Sequence, residues 1–378
     1  MKFGIGQAPA RVEDQRFITG EGRYASDAHA KGELQAFALR SPFAHARFRI
    51  GDVATARAMP GVALILTGAD VAGLGSLPCQ APQKNIDGSK MPLPAYPVLP
   101  RDTVRHVGEA VAFIVAASVE QARDAAEAIE IQWESLAVAA DLATARAPGA
   151  ALVHAEATGN LAFETLLGDR KATDAVFAKA HRVVGLDLVN NRVVANYLET
   201  RSVLVEPRAE QLTLTLGSQG SHDIRDTLAN EILKVPPENI RVITPDVGGG
   251  FGTKTFMFRE YPLCMVAARK LRKPVAWVQE RGDHFVNCSQ GRDNVSTATA
   301  ALDKRGKVLA VKVDTVADMG AYLSQYATFI PYVGALMLAG VYAFPAMHVR
   351  LKYAYTNTVP VDAYRGAGRP EAITLLER

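Results

Sequence analysis

Cysteine is scarce in this sequence: Cys79, Cys264 and Cys288 are the three in 378 residues, and no C-x-x-C occurs. Iron–sulfur clusters and structural zinc ions need groups of cysteine or cysteine and histidine ligands. The chain by itself is therefore not expected to carry either. The eight histidines show no H-x-H or H-E-x-x-H spacing, so we predict no metal site built from side chains. Isolated cysteines are typical of a reducing compartment, and we expect a cytoplasmic protein.

An excess of charge is also missing. Lysine and arginine number 42 against 39 aspartates and glutamates, and the net charge is +3. Without a basic run, the sequence does not predict a nucleic-acid partner. Long apolar runs are absent too: the stretch 329–344 is interrupted by Pro331, Gly334 and Gly340. We therefore expect no membrane span, and the polar amino terminus predicts no export signal.

The hydrophobic pattern of the first 140 residues predicts an α/β domain. Apolar, β-branched segments predict strands at 33–40, 62–67, 107–117 and 129–133. Short helices are predicted at 52–59 and from the N-cap Ser118 to about residue 128. A proline-rich stretch at 73–100 is predicted to be a surface loop, and 141–158, rich in alanine, proline and glycine, to be a linker.

Residues 159–378 predict a second, mixed domain, so the fold class is α+β. Segments 181–194, 202–217, 240–244, 275–278 and a hairpin at 295–316 are predicted strands, and 223–234 and 259–271 predicted helices. Pro370 is suited to begin a final helix. That helix stops after about two turns, so we expect this second domain to be cut within a longer polypeptide.

The most informative segment is the glycine-rich run from Gly248 to Gly252, with Phe251 inside it. Such a run exposes several backbone N–H groups and lets a ligand approach the main chain closely. A helix is predicted downstream, and its positive end would favour anionic oxygens here. The alternative is a tight strand-to-helix turn with no ligand.

A nucleotide-binding enzyme is a second alternative, because residues 248–255 read GGGFGTKT. The phosphate-binding motif G-x-x-x-x-G-K-[ST] requires glycine directly before the lysine, where this chain has Thr253. The dinucleotide fingerprint G-x-G-x-x-G fails at the same position. A P-loop-like enzyme therefore remains the weaker interpretation.

Six segments in the same order resemble one family, the molybdenum-containing xanthine dehydrogenases, aldehyde oxidases and aerobic carbon monoxide dehydrogenases. Residues 247–254 (VGGGFGTK) resemble its cofactor loop. The others are GEGRY at 20–24 with RSPFAH at 40–45, like its α/β hammerhead domain; ETR at 199–201, like its E-P-R segment; GSQ at 217–219; and DAYRGAGRPEA at 362–372, like its active-site arginine loop. The match covers about the first half of the family's large subunit. It implies a hammerhead domain at 1–140, then the first molybdenum-cofactor-binding domain at 159–378.

The resemblance implies a role for each matched residue. Gln219 and Arg365 are the implied catalytic residues: the glutamine amide would donate to the apical oxygen of the metal, and the guanidinium would stabilise negative charge on the substrate. The implied cofactor-binding residues are Gly248, Gly249, Gly250, Phe251, Gly252, Gln219 and Arg365. Gln219 could instead be an ordinary turn residue, and Arg365 could pair with Asp362 or Glu371 at the surface.

The implied activity is hydroxylation of an aldehyde or N-heterocycle with oxygen from water. The implied cofactor is molybdopterin, either plain or as the cytosine dinucleotide, with iron–sulfur clusters and FAD on partner subunits. The glutamate base would belong to the carboxyl-terminal half of the large subunit, which would be a further partner. Thr255 disfavours xanthine, and Gly366 replaces the cysteine that carbon monoxide-oxidising relatives carry after the arginine. A non-catalytic member of the family is the remaining alternative.

Overall fold

The computed structural model describes residues 4, 6 and 8–378. In this part of the chain, helices separate short runs of one to three strands. The strands are Leu34–Arg40 (β1), Ala46–Ile50 (β2), Val62–Thr67 (β3), Thr103–Val104 (β4), Ala110–Ala116 (β5), Ile131–Ser135 (β6), Leu161–Gly168 (β7), Arg182–Asn190 (β8), Ser202–Arg208 (β9), Gln211–Leu216 (β10), Ile240–Ile243 (β11), Val275–Val278 (β12), Asn294–Leu302 (β13), Val308–Gly320 (β14) and Ala346–Tyr355 (β15).

The α-helices are short, with between four and twelve residues each. They are Asp14–Ile18 (α1), Ala54–Arg57 (α2), Val119–Glu127 (α3), Leu142–Arg146 (α4), Arg170–Phe177 (α5), Ser221–Thr227 (α6), Glu260–Leu271 (α7), Arg281–Asn287 (α8), Phe329–Leu336 (α9) and Arg369–Glu377 (α10). Short 3₁₀ turns lie at Ala25–Asp27, Thr158–Asn160, Pro237–Asn239 and Thr253–Thr255, and a π-helical segment at Leu228–Leu233. None of the helices in the described part of the chain is long and apolar enough to cross a bilayer.

Strands from both halves of the sequence form one seven-stranded sheet. Its order is β11-β10-β9-β12-β1-β5-β3. The junction is the parallel pair of β1 and β12, in which Leu34 lies opposite Val275. Every residue of β5 is buried, because that strand has a neighbour on both sides and apolar side chains on both faces. A five-stranded sheet, β7-β15-β14-β13-β8, and a three-stranded sheet, β4-β2-β6, complete the fold. The mixed strand and helix content confirms the predicted α+β class.

Buried ion pairs join the first third of the chain to the rest. Glu260, the first residue of α7, accepts from Arg40 at 2.9 Å and from Arg201 at 3.0 Å. Glu109 accepts from Arg259 at 2.6 Å and from the hydroxyl of Tyr322. Buried charges are tolerated when they are paired, so these contacts fix α7 against the amino-terminal strands.

Several predicted elements need correction. The predicted linker at 141–158 contains α4 and buries Ala145, Val153 and Ala157 in a core cluster. The predicted helix at 223–234 is instead α6 followed by the π-helical segment. The strands β2, β4, β7 and β15 were not predicted. β4 has only two residues, whereas β2 (ARFRI) and β15 (AMHVRLKYAY) carry the alternation that is typical of a strand and were missed.

Candidate functional site

The glycine-rich loop follows β11 and is held in a backbone conformation that suits glycine. Gly249 and Gly252 have φ angles of +96° and +105°, in the left-handed region that other residues adopt at a cost. A Cβ atom on Gly248 would lie 2.5 Å from the Cβ of Glu199. Phe251 has a φ of +51° although it carries a side chain. Strain of this kind persists where the surrounding structure holds it, and it often marks a functional site.

The loop offers unused hydrogen-bond donors. Among the described residues, the N–H groups of Gly249, Gly250 and Phe251 have no protein acceptor, whereas the N–H of Gly248 donates to Glu199. The predicted helix dipole does not contribute directly, because the loop continues into a 3₁₀ turn and α7 begins only at Glu260. Successive free N–H groups form a concavity suited to anionic oxygens, which fits the phosphate-bearing cofactor that the resemblance implies.

Gln219 lies beside this loop on the turn after β10. Its Oε1 accepts the N–H of Gly252 at 2.8 Å, and its own N–H donates to the carbonyl of Lys254 at 3.1 Å. Since Oε1 is bound to Gly252, the Nε2 donor faces away from that bond and is available to a ligand. The side chain is exposed. The N–H of Gly252 is therefore bonded to a side chain of the protein.

Arg365 approaches the loop from its other side. Its N–H donates to the carbonyl of Phe251 at 2.8 Å, and its guanidinium lies 5.9 Å from the centre of the Phe251 ring. The alternative pairing with Asp362 or Glu371 does not occur. Glu371 pairs with Arg292 at 3.0 Å, and Asp362 accepts from backbone N–H groups. In the described part of the chain, the exposed guanidinium of Arg365 forms no ion pair.

The Arg365 loop is supported from below by buried polar groups. Asp362 accepts the N–H groups of Tyr326 at 2.9 Å and Ala363 at 2.7 Å. Burial raises the pKa of Asp362 to about 6, although these hydrogen bonds oppose the rise. Arg292 donates to the carbonyls of Tyr364 and Arg365. The loop is thus held by hydrogen bonds to its main chain. The Arg365 guanidinium has no hydrogen-bond partner among the described residues.

Lys254 differs from the lysine of a nucleotide-binding loop. Its side chain is fully buried, and its ammonium donates to Glu199 Oε2 at 2.6 Å and to the Glu199 carbonyl at 2.9 Å. A P-loop lysine must reach the phosphates of the nucleotide. This geometry gives the P-loop-like alternative no support. Sequence patterns did not reveal the Glu199–Lys254 contact, because the two residues are 55 positions apart.

The site residues predicted from the sequence therefore meet at one place. Gln219 contacts Gly252, Arg365 contacts Phe251, and the free N–H groups lie in the same five-residue loop. Within the described residues, no group of three or more histidine, cysteine, aspartate or glutamate side chains is arranged to hold a metal ion. A metal at this site would need ligands from a bound cofactor.

Comparisons with known proteins bear on the family to which the chain belongs. Residues 153–378 match the molybdopterin cofactor-binding domain, and residues 19–137 match the aldehyde oxidase and xanthine dehydrogenase a/b hammerhead domain. The chain is 33% identical to the 6-hydroxypseudooxynicotine dehydrogenase complex subunit gamma of Paenarthrobacter nicotinovorans, over 99% of this chain and 47% of that protein. It is 34% identical to the carbon monoxide dehydrogenase large chain of Afipia carboxidovorans, over 99% and 47%.

A solved structure gives the same result. Quinoline 2-oxidoreductase from Pseudomonas putida 86 superposes with a TM-score of 0.90 at 33% identity, covering all of this chain and 49% of that one. The chain spans about half the length of these three relatives. The chain belongs to the xanthine dehydrogenase and aldehyde oxidase family, and it corresponds to the amino-terminal half of the molybdopterin-binding large subunit.

Proposed function

We propose that this chain is the molybdopterin-binding part of a molybdenum hydroxylase that oxidises an aldehyde or an N-heterocycle with oxygen from water. The observation that carries the proposal is the convergence of Gln219, Arg365 and the free N–H groups of Gly249, Gly250 and Phe251. The cofactor, when bound, supplies the two-electron redox chemistry that no side chain here provides. The domain bounds 1–140 and 159–378 remain part of this proposal.

Each residue has a defined task in it. The N–H groups of Gly249, Gly250 and Phe251 bind anionic oxygens of the cofactor. The Gln219 amide donates a hydrogen bond to an oxygen on the metal side of the site. The Arg365 guanidinium, with no carboxylate partner in the described chain, stabilises negative charge that develops on the substrate. Gly248 and Gly252 belong to the same proposed cofactor-binding loop, because glycine at these positions permits the close approach of a ligand to the main chain.

We propose that a second polypeptide segment completes the site and that it corresponds to the other half of the relatives' large subunit. The exposed apolar residues of β8 support this: Val183 is 51% exposed and Val189 is 65% exposed. This strand lies at the edge of its sheet, with one neighbour only. Uncovered apolar edge strands tend to acquire a partner. The segment would also supply the glutamate base.

The remaining partners follow from electron flow. Electrons taken from the substrate must leave the site, and the three isolated cysteines cannot hold an iron–sulfur cluster. Iron–sulfur and FAD subunits are therefore proposed partners, and the cytoplasm the proposed location.

The test is to produce the full-length polypeptide together with its neighbouring subunits. Molybdenum and pterin would be measured in the purified complex, and dye reduction would be assayed with several aldehydes and N-heterocycles. Cofactor at about one per large subunit, together with turnover of at least one such compound, is expected. A complex that folds but contains neither molybdenum nor pterin would contradict the proposal and favour a non-catalytic member of the family.

A further inference from the structure

The ion pair of Glu199 and Lys254 lies directly behind the glycine-rich loop. The Lys254 side chain is fully buried, that of Glu199 is 9% exposed, and their charged atoms are 2.6 Å apart. The ammonium also lies 4.6 Å from the centre of the Tyr197 ring. None of these atoms is among the free groups assigned above to cofactor or substrate.

Both members of the pair also form hydrogen bonds to the site. Glu199 does so through its carboxylate and its main chain, and Lys254 through its main chain. The Glu199 carboxylate accepts the N–H of Gly248 at 2.7 Å, and the Glu199 N–H donates to the Gly248 carbonyl at 3.3 Å. On the other side, the Lys254 carbonyl accepts the N–H of Gln219 at 3.1 Å. The ion pair therefore connects the first residue of the loop to the backbone of the residue that provides the amide donor.

Stability alone does not explain a charged pair at this place. Burial lowers the pKa of the Lys254 ammonium, and the contact with Glu199 opposes that effect. Well-packed apolar side chains of similar volume are often as stable as a buried ion pair. Glu199 Oε1 is also buried and has no hydrogen-bond partner within the described residues. Because burying the pair costs free energy, we look for its role in the positions that it gives to Gly248 and Gln219.

We propose that Glu199 and Lys254 are positioning residues, whose ion pair fixes the distance between the free N–H groups of the glycine-rich loop and the Gln219 amide. Neither side chain touches the cofactor. The inference rests on the proposed function, because it assumes that a pterin cofactor binds this loop. In metal sites, groups that orient the ligating residues typically change affinity by about 10- to 100-fold when they are removed.

The experiment uses the full-length complex and compares Lys254→Met with Arg259→Met. Methionine keeps the aliphatic length of the side chain and removes the charge. Arg259 is a matched control, because it forms an equally short buried pair with Glu109 at 2.6 Å and makes no contact with the loop. Release of pterin and molybdenum would be followed over time after dilution, and the thermal midpoint would be measured in parallel.

Lys254→Met is expected to release the cofactor about tenfold faster than Arg259→Met at a comparable loss of thermal stability. The double variant Glu199→Gln with Lys254→Met keeps an acceptor for the Gly248 N–H and leaves no unpaired charge. It should regain thermal stability relative to Lys254→Met but still release the cofactor quickly. Turnover per bound molybdenum should fall in both, with little change in KM.

Two results would overturn the inference. One is release from Lys254→Met no faster than from Arg259→Met. The other is recovery of both stability and slow release in the double variant, which would mean that the pair is only structural. Wild-type complex without pterin would be a different failure, since it would reject the proposed function itself and the inference with it.

Discussion

Gly250 is the residue at which a single added methyl group should lower activity much more than stability. A Cβ atom there would lie 2.4 Å from Gln219 Oε1, and the flexible amide can move aside. Gly250→Ala should therefore cost about 1 kcal/mol of stability, the value of one hydrogen bond. It should lower kcat on the order of a hundredfold, as the loss of one preorganised donor does. Steady-state kinetics and thermal unfolding of the complex would test this.

The control for that substitution is Gly73→Ala, because no atom lies within 4 Å of the position of its Cβ. It should change neither stability nor kcat measurably. Equal activity of Gly250→Ala and Gly73→Ala complexes would show that the Gln219 amide is not needed where the structure places it.

Asp362 gives a prediction about pH. Burial raises the pKa of its carboxyl from an ordinary value of 3.8 to about 6. The folded protein then binds the proton more tightly than the unfolded chain, so this group's contribution is present at low pH and is lost as the pH rises from about 4 to about 6. The effect corresponds to about 3 kcal/mol at most. Asp362→Asn cannot ionise and should lack this pH dependence.

The measurement is the unfolding midpoint of wild type and Asp362→Asn across that range. The wild type should lose stability relative to the variant as the pH rises. Parallel curves for the two proteins would contradict the assigned burial effect.

At the residue scale, the sequence identified what lies in short motifs and missed what depends on distant contacts. Gln219 and Arg365 were found from segments that resemble a family. The structure adds that each is bound to the glycine-rich loop. The bond from the Gly252 N–H to Gln219 was not predicted, because the sequence gives no sign of which side chain will reach a backbone donor. The Glu199–Lys254 pair was missed for the same reason.

At the scale of elements, helix α7 depends on the charge of its first residue. Burial alone would raise the pKa of Glu260, but the guanidinium groups of Arg201 and Arg40 lower it to about 2. Glu260→Gln would leave the fully buried Arg201 without its anion. Breaking such a pair typically costs about 3–5 kcal/mol. Denaturant unfolding of the complex should show this loss at neutral pH.

A matched control is Glu134→Gln, whose partner Arg47 lies in a solvent-exposed pair. An exposed pair is typically worth about 0–1 kcal/mol. The difference in unfolding free energy between wild type and Glu260→Gln should also shrink as the pH falls from 4.5 towards 2, because the wild-type carboxylate then becomes protonated. A loss in Glu260→Gln no larger than in Glu134→Gln would mean that α7 is held by apolar packing alone.

Elements with strong local signals were predicted well. The predicted bounds of β3 and β12 agree with the structure, and Ser118 caps α3 by accepting the N–H of Gln121. The hairpin of β13 and β14 was also predicted from its Asp303–Gly306 turn. Sheet order was not predictable. The pairing of β1 with β12 depends on which distant strand lies beside β1 in the folded chain, and hydrophobic periodicity carries no such information.

At the scale of the whole molecule, we expect that the complete enzyme does not oxidise carbon monoxide. Carbon monoxide dehydrogenase large chains are nevertheless among the similar proteins. Gly366 follows Arg365 and offers no thiolate for copper. The complete enzyme should show no carbon monoxide-dependent dye reduction and no copper at the site. Copper in stoichiometric amount, measured by elemental analysis, would refute this.

Residues 1–378 alone should have no hydroxylase activity even when folded. The proposed glutamate base belongs to the other half of the large subunit, and loss of a general base typically lowers the rate about a hundred- to ten-thousandfold. Dye reduction by this segment would be compared with that of the full-length polypeptide. Comparable turnover would show that the chemistry depends on residues of this chain other than those assigned.

The parallel pairing of β1 with β12 has a consequence for synthesis on the ribosome. Leu34 can pair with Val275 only after about 240 further residues have been synthesised. At about 5–20 residues per second, that delay is on the order of 10–50 seconds. During this time one edge of β1 has no strand beside it, and contacts so distant in sequence form slowly. The nascent amino-terminal segment therefore keeps an unpaired strand edge until residue 278 has emerged, and we expect chaperones to bind it during that time.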